Sequence, residues 1–123
     1  MVDFKVLIVD DDYINRRLLI SILRKKLYQI QTIESVDGAE ALRLCYENPD
    51  IELILLDIEM PHVNGLEFLK LYTQDKKLRK APVIAISSND LRKKEAQLNG
   101  ADAFVVKPIT EEKLFTAMRS ITS

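Results

Sequence analysis

The chain has 123 residues, of which 47% are hydrophobic and 30% are charged, and its formal net charge at pH 7 is -1. These values are typical of one globular domain, and the near-neutral charge argues against direct binding of nucleic acid, which requires a basic excess. No apolar run approaches the ~20 residues of a membrane span and the single cysteine, Cys45, cannot form an intrachain disulfide, so we expect a cytoplasmic protein without membrane insertion.

Short apolar runs alternate with amphipathic stretches along the whole chain. The apolar runs predict strands at residues 5–9, 29–34, 51–56, 83–86 and 103–106. The amphipathic stretches predict helices at 13 to about 27, 38–45, 65 to about 75, 90–98 and 111–121. The residues predicted to cap four of these helices at their N-termini are Asp12, Asp37, Asn64 and Thr110. The helix at 90–98 has a thin apolar stripe, formed by Leu91, Ala96 and Leu98, and we expect it to end at Gly100.

This alternation of strands and helices predicts an α/β fold, a single doubly wound (βα)5 domain with a five-stranded parallel sheet and helices on both faces. Ligands of such sheets bind outside the carboxyl ends of the strands. The residues at those ends are therefore the first candidates for a functional site.

Charged and hydroxyl residues stand at four of these strand ends. Asp10 and Asp11 follow the first strand, and Asp57 follows the third. If those two strands are neighbours, the three carboxylates converge, and they repel one another unless a cation lies among them. Oxygen ligands without histidine or cysteine favour Mg²⁺. Ser87 ends the fourth strand and Lys107 the fifth, so the set is suited to a phosphoryl group.

Four motifs at these strand ends resemble the receiver domains of two-component response regulators. They are Val9-Asp10-Asp11, Leu55-Leu-Asp57-Ile-Glu-Met60-Pro61 with Gly65, Ala85-Ile-Ser87 and Val106-Lys107-Pro108. The resemblance covers essentially the whole chain and implies the sheet order 2-1-3-4-5. It also implies a phosphorylation-dependent signalling switch, with only slow self-catalysed phosphorylation and dephosphorylation instead of enzymatic turnover. The phosphoryl donor would be a histidine kinase or phosphotransfer protein.

The resemblance assigns the phosphoacceptor and the metal ligands. Asp57 would accept the phosphoryl group. Asp10, Asp11 and Asp57 would hold Mg²⁺ together with the backbone carbonyl of Glu59. The side chain of Glu59 would then be free at the rim of the path along which water reaches phosphorus, and we expect it to shield that path.

The resemblance also assigns the groups that bind the phosphoryl oxygens and transmit the signal. The Ser87 hydroxyl, the Ser88 backbone N–H and the Lys107 ammonium would bind phosphoryl oxygens. Ser87 and Phe104 would form the switch, and the Lys107–Pro108 peptide would be cis. A downstream protein would bind through the fourth helix, fifth strand and fifth helix.

Other interpretations remain open from the sequence alone. A Mg²⁺-dependent phosphatase with an aspartyl nucleophile would use a similar sheet, and a receiver-like domain could bind partners without phosphorylation. Asp10 and Asp11 could be helix caps, although Asp12 already serves that role, and Phe104 could be an ordinary core residue. We expect residues 1–123 to form one receiver domain without an output domain, either a separate regulator or part of a larger protein.

Overall fold

The computed structural model describes residues 4–27, 29–60 and 65–122. The strands are β1 Phe4–Val9, β2 Ile30–Ser35, β3 Leu53–Asp57, β4 Val83–Ser87 and β5 Ala103–Val106. The helices are α1 Tyr13–Lys26, α2 Gly38–Glu47, α3 Gly65–Gln74, α4 Lys93–Leu98 and α5 Glu111–Thr122, and a 3₁₀ turn at Asp90–Arg92 precedes α4. Asn64, the predicted N-cap of α3, lies outside the described residues.

The five strands form one parallel sheet in the order β2-β1-β3-β4-β5. In the pairing register Val9 lies opposite Leu56, and Asp57 lies opposite Ile86. Ser87 lies opposite Val106. The predicted fold class and sheet order are therefore confirmed, and the carboxyl ends of β1, β3, β4 and β5 meet at one edge of the sheet.

The hydrophobic core lies on both faces of this sheet. Alternate residues of β1 point to opposite faces, because side chains alternate along a strand. Val6 and Ile8 pack with α1 and α5, whereas Leu7 and Val9 pack with α2 and α3. Every residue of β3 and β4 is buried. The central strands are thus fixed by packing on both sides, which holds the residues at their ends in place.

Three of the predicted helix caps are confirmed by side-chain hydrogen bonds. Asp12 accepts a bond from the backbone N–H of Ile14 at 2.9 Å. Asp37 accepts one from the N–H of Glu40 at 2.8 Å, and Thr110 accepts one from the N–H of Lys113 at 3.1 Å. Each bond satisfies a helix N–H that has no partner within its own helix.

The fourth helical segment differs from its prediction. A single helix was expected over 90–98, but the 3₁₀ turn at Asp90–Arg92 is followed by an α4 of only six residues. Ala96 is the buried residue of α4, whereas Leu91 and Leu98 are 84% and 79% exposed. The predicted apolar stripe is therefore wrong. One small buried side chain supplies too little packing to impose a long regular helix, which explains why α4 is short. The predicted end is confirmed at Gly100, whose φ of 110° favours glycine.

Among the helices that the structure describes, none has the length and apolar character that a transmembrane span requires.

Candidate functional site

The neighbouring ends of β1 and β3 bring three carboxylates together. Asp10 directly follows β1, Asp57 is the last residue of β3, and both are almost fully buried at 1% and 3% exposure. Asp11 is exposed beside them. One carboxylate oxygen from each of the three lies within 4.8 Å of the others. The convergence predicted from the strand ends is confirmed.

The two carboxylate oxygens of Asp10 differ in their hydrogen bonds. Its Oδ1 accepts a hydrogen bond of 2.8 Å from the backbone N–H of Asp12. Its Oδ2 is buried and has no hydrogen-bond partner among the residues that the structure describes. Burial raises the pKa of Asp10 from 3.8 to about 6, and the negative charges of Asp57 and Asp11 act in the same direction. An unpartnered oxygen among repelling carboxylates fits a hard cation such as Mg²⁺.

Asp57 is held on both sides of its carboxylate. Its Oδ1 accepts the backbone N–H of Glu59 at 2.8 Å, and its Oδ2 lies 3.2 Å from the ammonium of Lys107. Burial alone would lower the pKa of Lys107, but attraction to Asp57 outweighs it and raises that pKa. Lys107 therefore stays charged beside Asp57. The predicted cis peptide between Lys107 and Pro108 is confirmed.

The side chain of Glu59 reaches the hydroxyl residues at the end of β4. Its Oε1 accepts hydrogen bonds from the Ser88 backbone N–H at 2.5 Å and from the Ser87 hydroxyl at 3.1 Å. The Ser88 hydroxyl lies 3.0 Å from both carboxylate oxygens. The Ser88 backbone N–H is the main cause of a lowered pKa of Glu59. The expectation of a free Glu59 side chain is wrong, because these donors lie within its reach and favour its charged form.

The second predicted switch residue, Phe104, lies away from the carboxylates. It is partly buried on β5, opposite Ala85 of β4. Its side chain lines an open groove between α4, β5 and α5 with a volume of about 830 Å³. The structure therefore brings seven of the predicted residues to one edge of the sheet and places Phe104 beside a surface groove. The seven are Asp10, Asp11, Asp57, Glu59, Ser87, Ser88 and Lys107.

Arg16 supports the site and was not predicted from the sequence. Its guanidinium donates a hydrogen bond of 2.8 Å to the backbone carbonyl of Asp10, and it forms an ion pair of 2.9 Å with Glu34 on β2. A cation near the N-terminus of a helix opposes the helix dipole. The position of Arg16 near the N-terminus of α1 therefore indicated that its side chain binds a specific partner. The sequence could not show that the partners are Asp10 and Glu34.

The site and the fold define a class of protein in which a buried aspartate beside a lysine, an acidic cluster and hydroxyl donors lie at the edge of a parallel sheet. The chain belongs to the response regulator receiver domain family, whose model matches residues 6–119. It is 36% identical over 118 residues to the polar-differentiation response regulator DivK of Brucella ovis, covering 94% of this chain and 93% of DivK.

Other relatives extend this similarity. The two-component response regulator ORR11 of Oryza sativa subsp. indica is 34% identical over 106 residues, which cover 85% of this chain and 71% of ORR11. The structure resembles CheY of Borrelia burgdorferi in a complex with CheX, BeF₃ and Mg²⁺, with a TM-score of 0.87 and 31% identity over 98% of this chain and 90% of that one. The chain is a phosphorylation-dependent signalling switch.

A further solved structure pairs a receiver with a phosphotransfer protein. It contains Ypd1 of Saccharomyces cerevisiae and the receiver domain of Ssk1. That match has a TM-score of 0.77 and 25% identity, and it covers 92% of this chain and 84% of the other. None of these similarities supports the phosphatase alternative.

Proposed function

We propose that Asp57 accepts the phosphoryl group from a phosphohistidine of a histidine kinase or phosphotransfer protein. The observation that carries the proposal is the position of Asp57. Its carboxylate lies in the acidic cluster, 3.2 Å from the ammonium of Lys107, at the sheet edge that also holds the Ser87 and Ser88 donors. No other carboxylate among the described residues has both an ammonium partner and this cluster around it.

The transfer forms one bond and breaks one bond. An oxygen of the Asp57 carboxylate attacks phosphorus and forms the O–P bond of an acyl phosphate. The P–N bond to the donor imidazole breaks, and its electron pair stays on the imidazole nitrogen. Since the transition state is loose, positioning and charge stabilisation supply most of the catalysis. The bonds that Asp57 accepts from Glu59 and Lys107 hold its carboxylate in one orientation.

Three groups would bind the oxygens of the transferred phosphoryl group. These are the Ser87 hydroxyl, the Ser88 backbone N–H and the Lys107 ammonium. The Ser87 and Ser88 donors already hold an anion in this structure, the carboxylate of Glu59. Donors that satisfy a carboxylate also suit phosphoryl oxygens, because both are charged acceptors with similar hydrogen-bond lengths.

We propose Mg²⁺ as the metal ion of this site. The carboxylates of Asp10, Asp11 and Asp57 would hold it together with the backbone carbonyl of Glu59, and the unpartnered Oδ2 of Asp10 supports this assignment. When bound, the ion supplies positive charge that offsets the repulsion between the carboxylates and the incoming phosphoryl oxygens. Asp57 would still accept the phosphoryl group, and Ser87, Ser88 and Lys107 would still orient it.

We further propose that phosphorylation changes the surface formed by α4, β5 and α5, where a downstream protein would bind. Ser87 and Phe104 would link the site to this surface, because Ser87 ends β4 and Phe104 lines the groove. The groove exposes both charges and apolar atoms, with Lys93, Asp102 and Glu112 at its wall. Such a mixed lining suits a protein partner.

We propose that the domain works as a switch in the cytoplasm, with only slow phosphorylation and dephosphorylation of its own. The buried, unpaired thiol of Cys45 is compatible with a reducing compartment. One phosphoryl group per molecule would be transferred.

The test of the acceptor is intact-mass spectrometry after incubation with Mg²⁺ and acetyl phosphate. The parent protein should gain ~80 Da, the mass of one phosphoryl group, and Asp57→Asn should gain none. Asp50→Asn is the matched control, because it removes an exposed carboxylate that pairs with Lys5 at the opposite end of the sheet. Full labelling of Asp57→Asn would overturn the assignment.

A further inference from the structure

Glu59 occupies the donors that the proposed phosphoryl group needs. The single backbone N–H of Ser88 points at Glu59 Oε1 at 2.5 Å, and the Ser87 hydroxyl lies 3.1 Å from the same oxygen. An N–H and a hydroxyl each carry one proton to donate. A phosphoryl oxygen and the Glu59 carboxylate therefore cannot both be fully bound by these two groups.

The Ser88 hydroxyl strengthens the hold on Glu59 by contacts of 3.0 Å to both carboxylate oxygens. With the N–H, Ser88 supplies most of the donors that hold Glu59. The hydroxyl is not among the groups assigned to the phosphoryl oxygens. Its removal should thus weaken the internal bond of Glu59 and leave the phosphoryl donors in place.

We propose that the Glu59 carboxylate competes with the phosphoryl group for the donors of Ser87 and Ser88. Displacement of Glu59 from these donors limits the phosphorylation of Asp57. This inference rests on the proposed function and adds a regulatory residue to it. In the unphosphorylated state the carboxylate of Glu59 ties the segment after β3 to the segment after β4. Phosphorylation of Asp57 requires these hydrogen bonds to break. The Ser88 N–H must then donate to a phosphoryl oxygen instead of to Glu59.

The competition predicts an energetic coupling between Glu59 and the Ser88 side chain. A hydrogen bond to a charged group at an exposed position contributes a factor of roughly five in an equilibrium constant. Ser88→Ala should therefore strengthen the binding of a phosphoryl analogue about fivefold when Glu59 is present. In a Glu59→Ala background the same change should have no such effect. If Glu59 acted only by electrostatic repulsion, its effect on the affinity for the analogue would not depend on the Ser88 side chain.

The experiment is a double-mutant cycle on the full chain, with beryllium fluoride and Mg²⁺ as the probe. The dissociation constant is measured for the parent, Ser88→Ala, Glu59→Ala and the double variant. Glu52→Ala is the control, because it removes an exposed carboxylate before the opposite end of β3. The initial rate of labelling by acetyl phosphate, measured on the same proteins, is expected to follow the same order.

The decisive quantity is the ratio of the Ser88→Ala effects in the two backgrounds. A ratio of about five supports the competition, whatever uniform loss of affinity Ser88→Ala causes in both backgrounds. A ratio of one overturns it. Failure of the proposed function has a different signature, since the analogue would then bind Asp57→Asn as well as the parent or would bind no variant. That result would overturn the acceptor assignment and this inference together.

Discussion

Replacing Asp10 by asparagine should stabilise the metal-free protein at neutral pH. The parent must keep Asp10 charged there, although its carboxylate is buried beside Asp57 and its Oδ2 has no hydrogen-bond partner within the described part of the chain. Asparagine removes the charge and keeps an oxygen that can accept the N–H of Asp12, as Oδ1 does now at 2.8 Å. The destabilising charge is lost while the local turn is kept.

The size of the effect follows from the pKa of Asp10. A change from 3.8 to about 6 corresponds to about 3 kcal/mol of unfolding free energy at neutral pH. Partial relaxation and a new amide that needs a partner reduce the expected gain to about 1–3 kcal/mol. For an acid whose pKa is raised by folding, the folded state binds the proton more tightly. The stability of the parent therefore falls as pH rises from about 4 to 6, and the advantage of Asp10→Asn vanishes below about pH 4.

The assay is urea unfolding in the presence of EDTA, at about pH 7 and again near pH 4. Asp11→Asn is the matched control, because it removes a neighbouring carboxylate that is exposed, and its gain should be smaller. Millimolar Mg²⁺ should stabilise the parent by mass action and reverse the order of parent and Asp10→Asn. An Asp10→Asn protein no more stable than the parent at neutral pH without metal would refute the reasoning.

Two further changes test the surroundings of Asp57. Glu59→Asn should shorten the lifetime of the phosphorylated protein by a few-fold to tenfold, about 1 kcal/mol of barrier, because a displaced Glu59 carboxylate would shield phosphorus from water. The decay of phosphorylated protein after donor removal measures this lifetime, and an equal or longer lifetime in the variant would exclude shielding. Gly65→Ala should destabilise the fold by roughly 1–3 kcal/mol or more, because the added Cβ would lie 2.4 Å from Ile58 Cα and 2.5 Å from the Asp57 carbonyl oxygen. An unchanged midpoint of urea unfolding would contradict this predicted clash.

The elements of the fold were predictable because the sequence repeats one pattern of burial. Runs such as residues 83–86 are apolar on both faces, and the structure buries all of β4. Caps such as Asp12 and Thr110 are local, so sequence spacing suffices to identify them. The order of the strands is not local. It came from the resemblance of four motifs to receiver domains, and the meeting of Asp10 with Asp57 depended on it.

The contacts that sequence spacing could not supply all join distant segments through flexible side chains. Glu59 has several rotatable bonds, and nothing in its own segment indicates that Ser87 and Ser88 will bind it. The pairing of Arg16 with Glu34 likewise depends on the neighbouring positions of α1 and β2. In the segment 90–98 the sequence pattern misled, since Leu91 and Leu98 match a helical face but remain exposed.

The short α4 would give the proposed switch a route from the site to the surface formed by α4, β5 and α5. The Ser87 hydroxyl accepts the backbone N–H of Asn89 at 3.0 Å, and the Asn89 side chain caps the following 3₁₀ turn through the N–H of Leu91 at 3.0 Å. A Ser87 hydroxyl that turned toward a phosphoryl oxygen would change its bond to Asn89 and with it the cap. Because Ala96 alone is buried within α4, little packing opposes a shift of that segment, and the groove beside Phe104 would change shape with it.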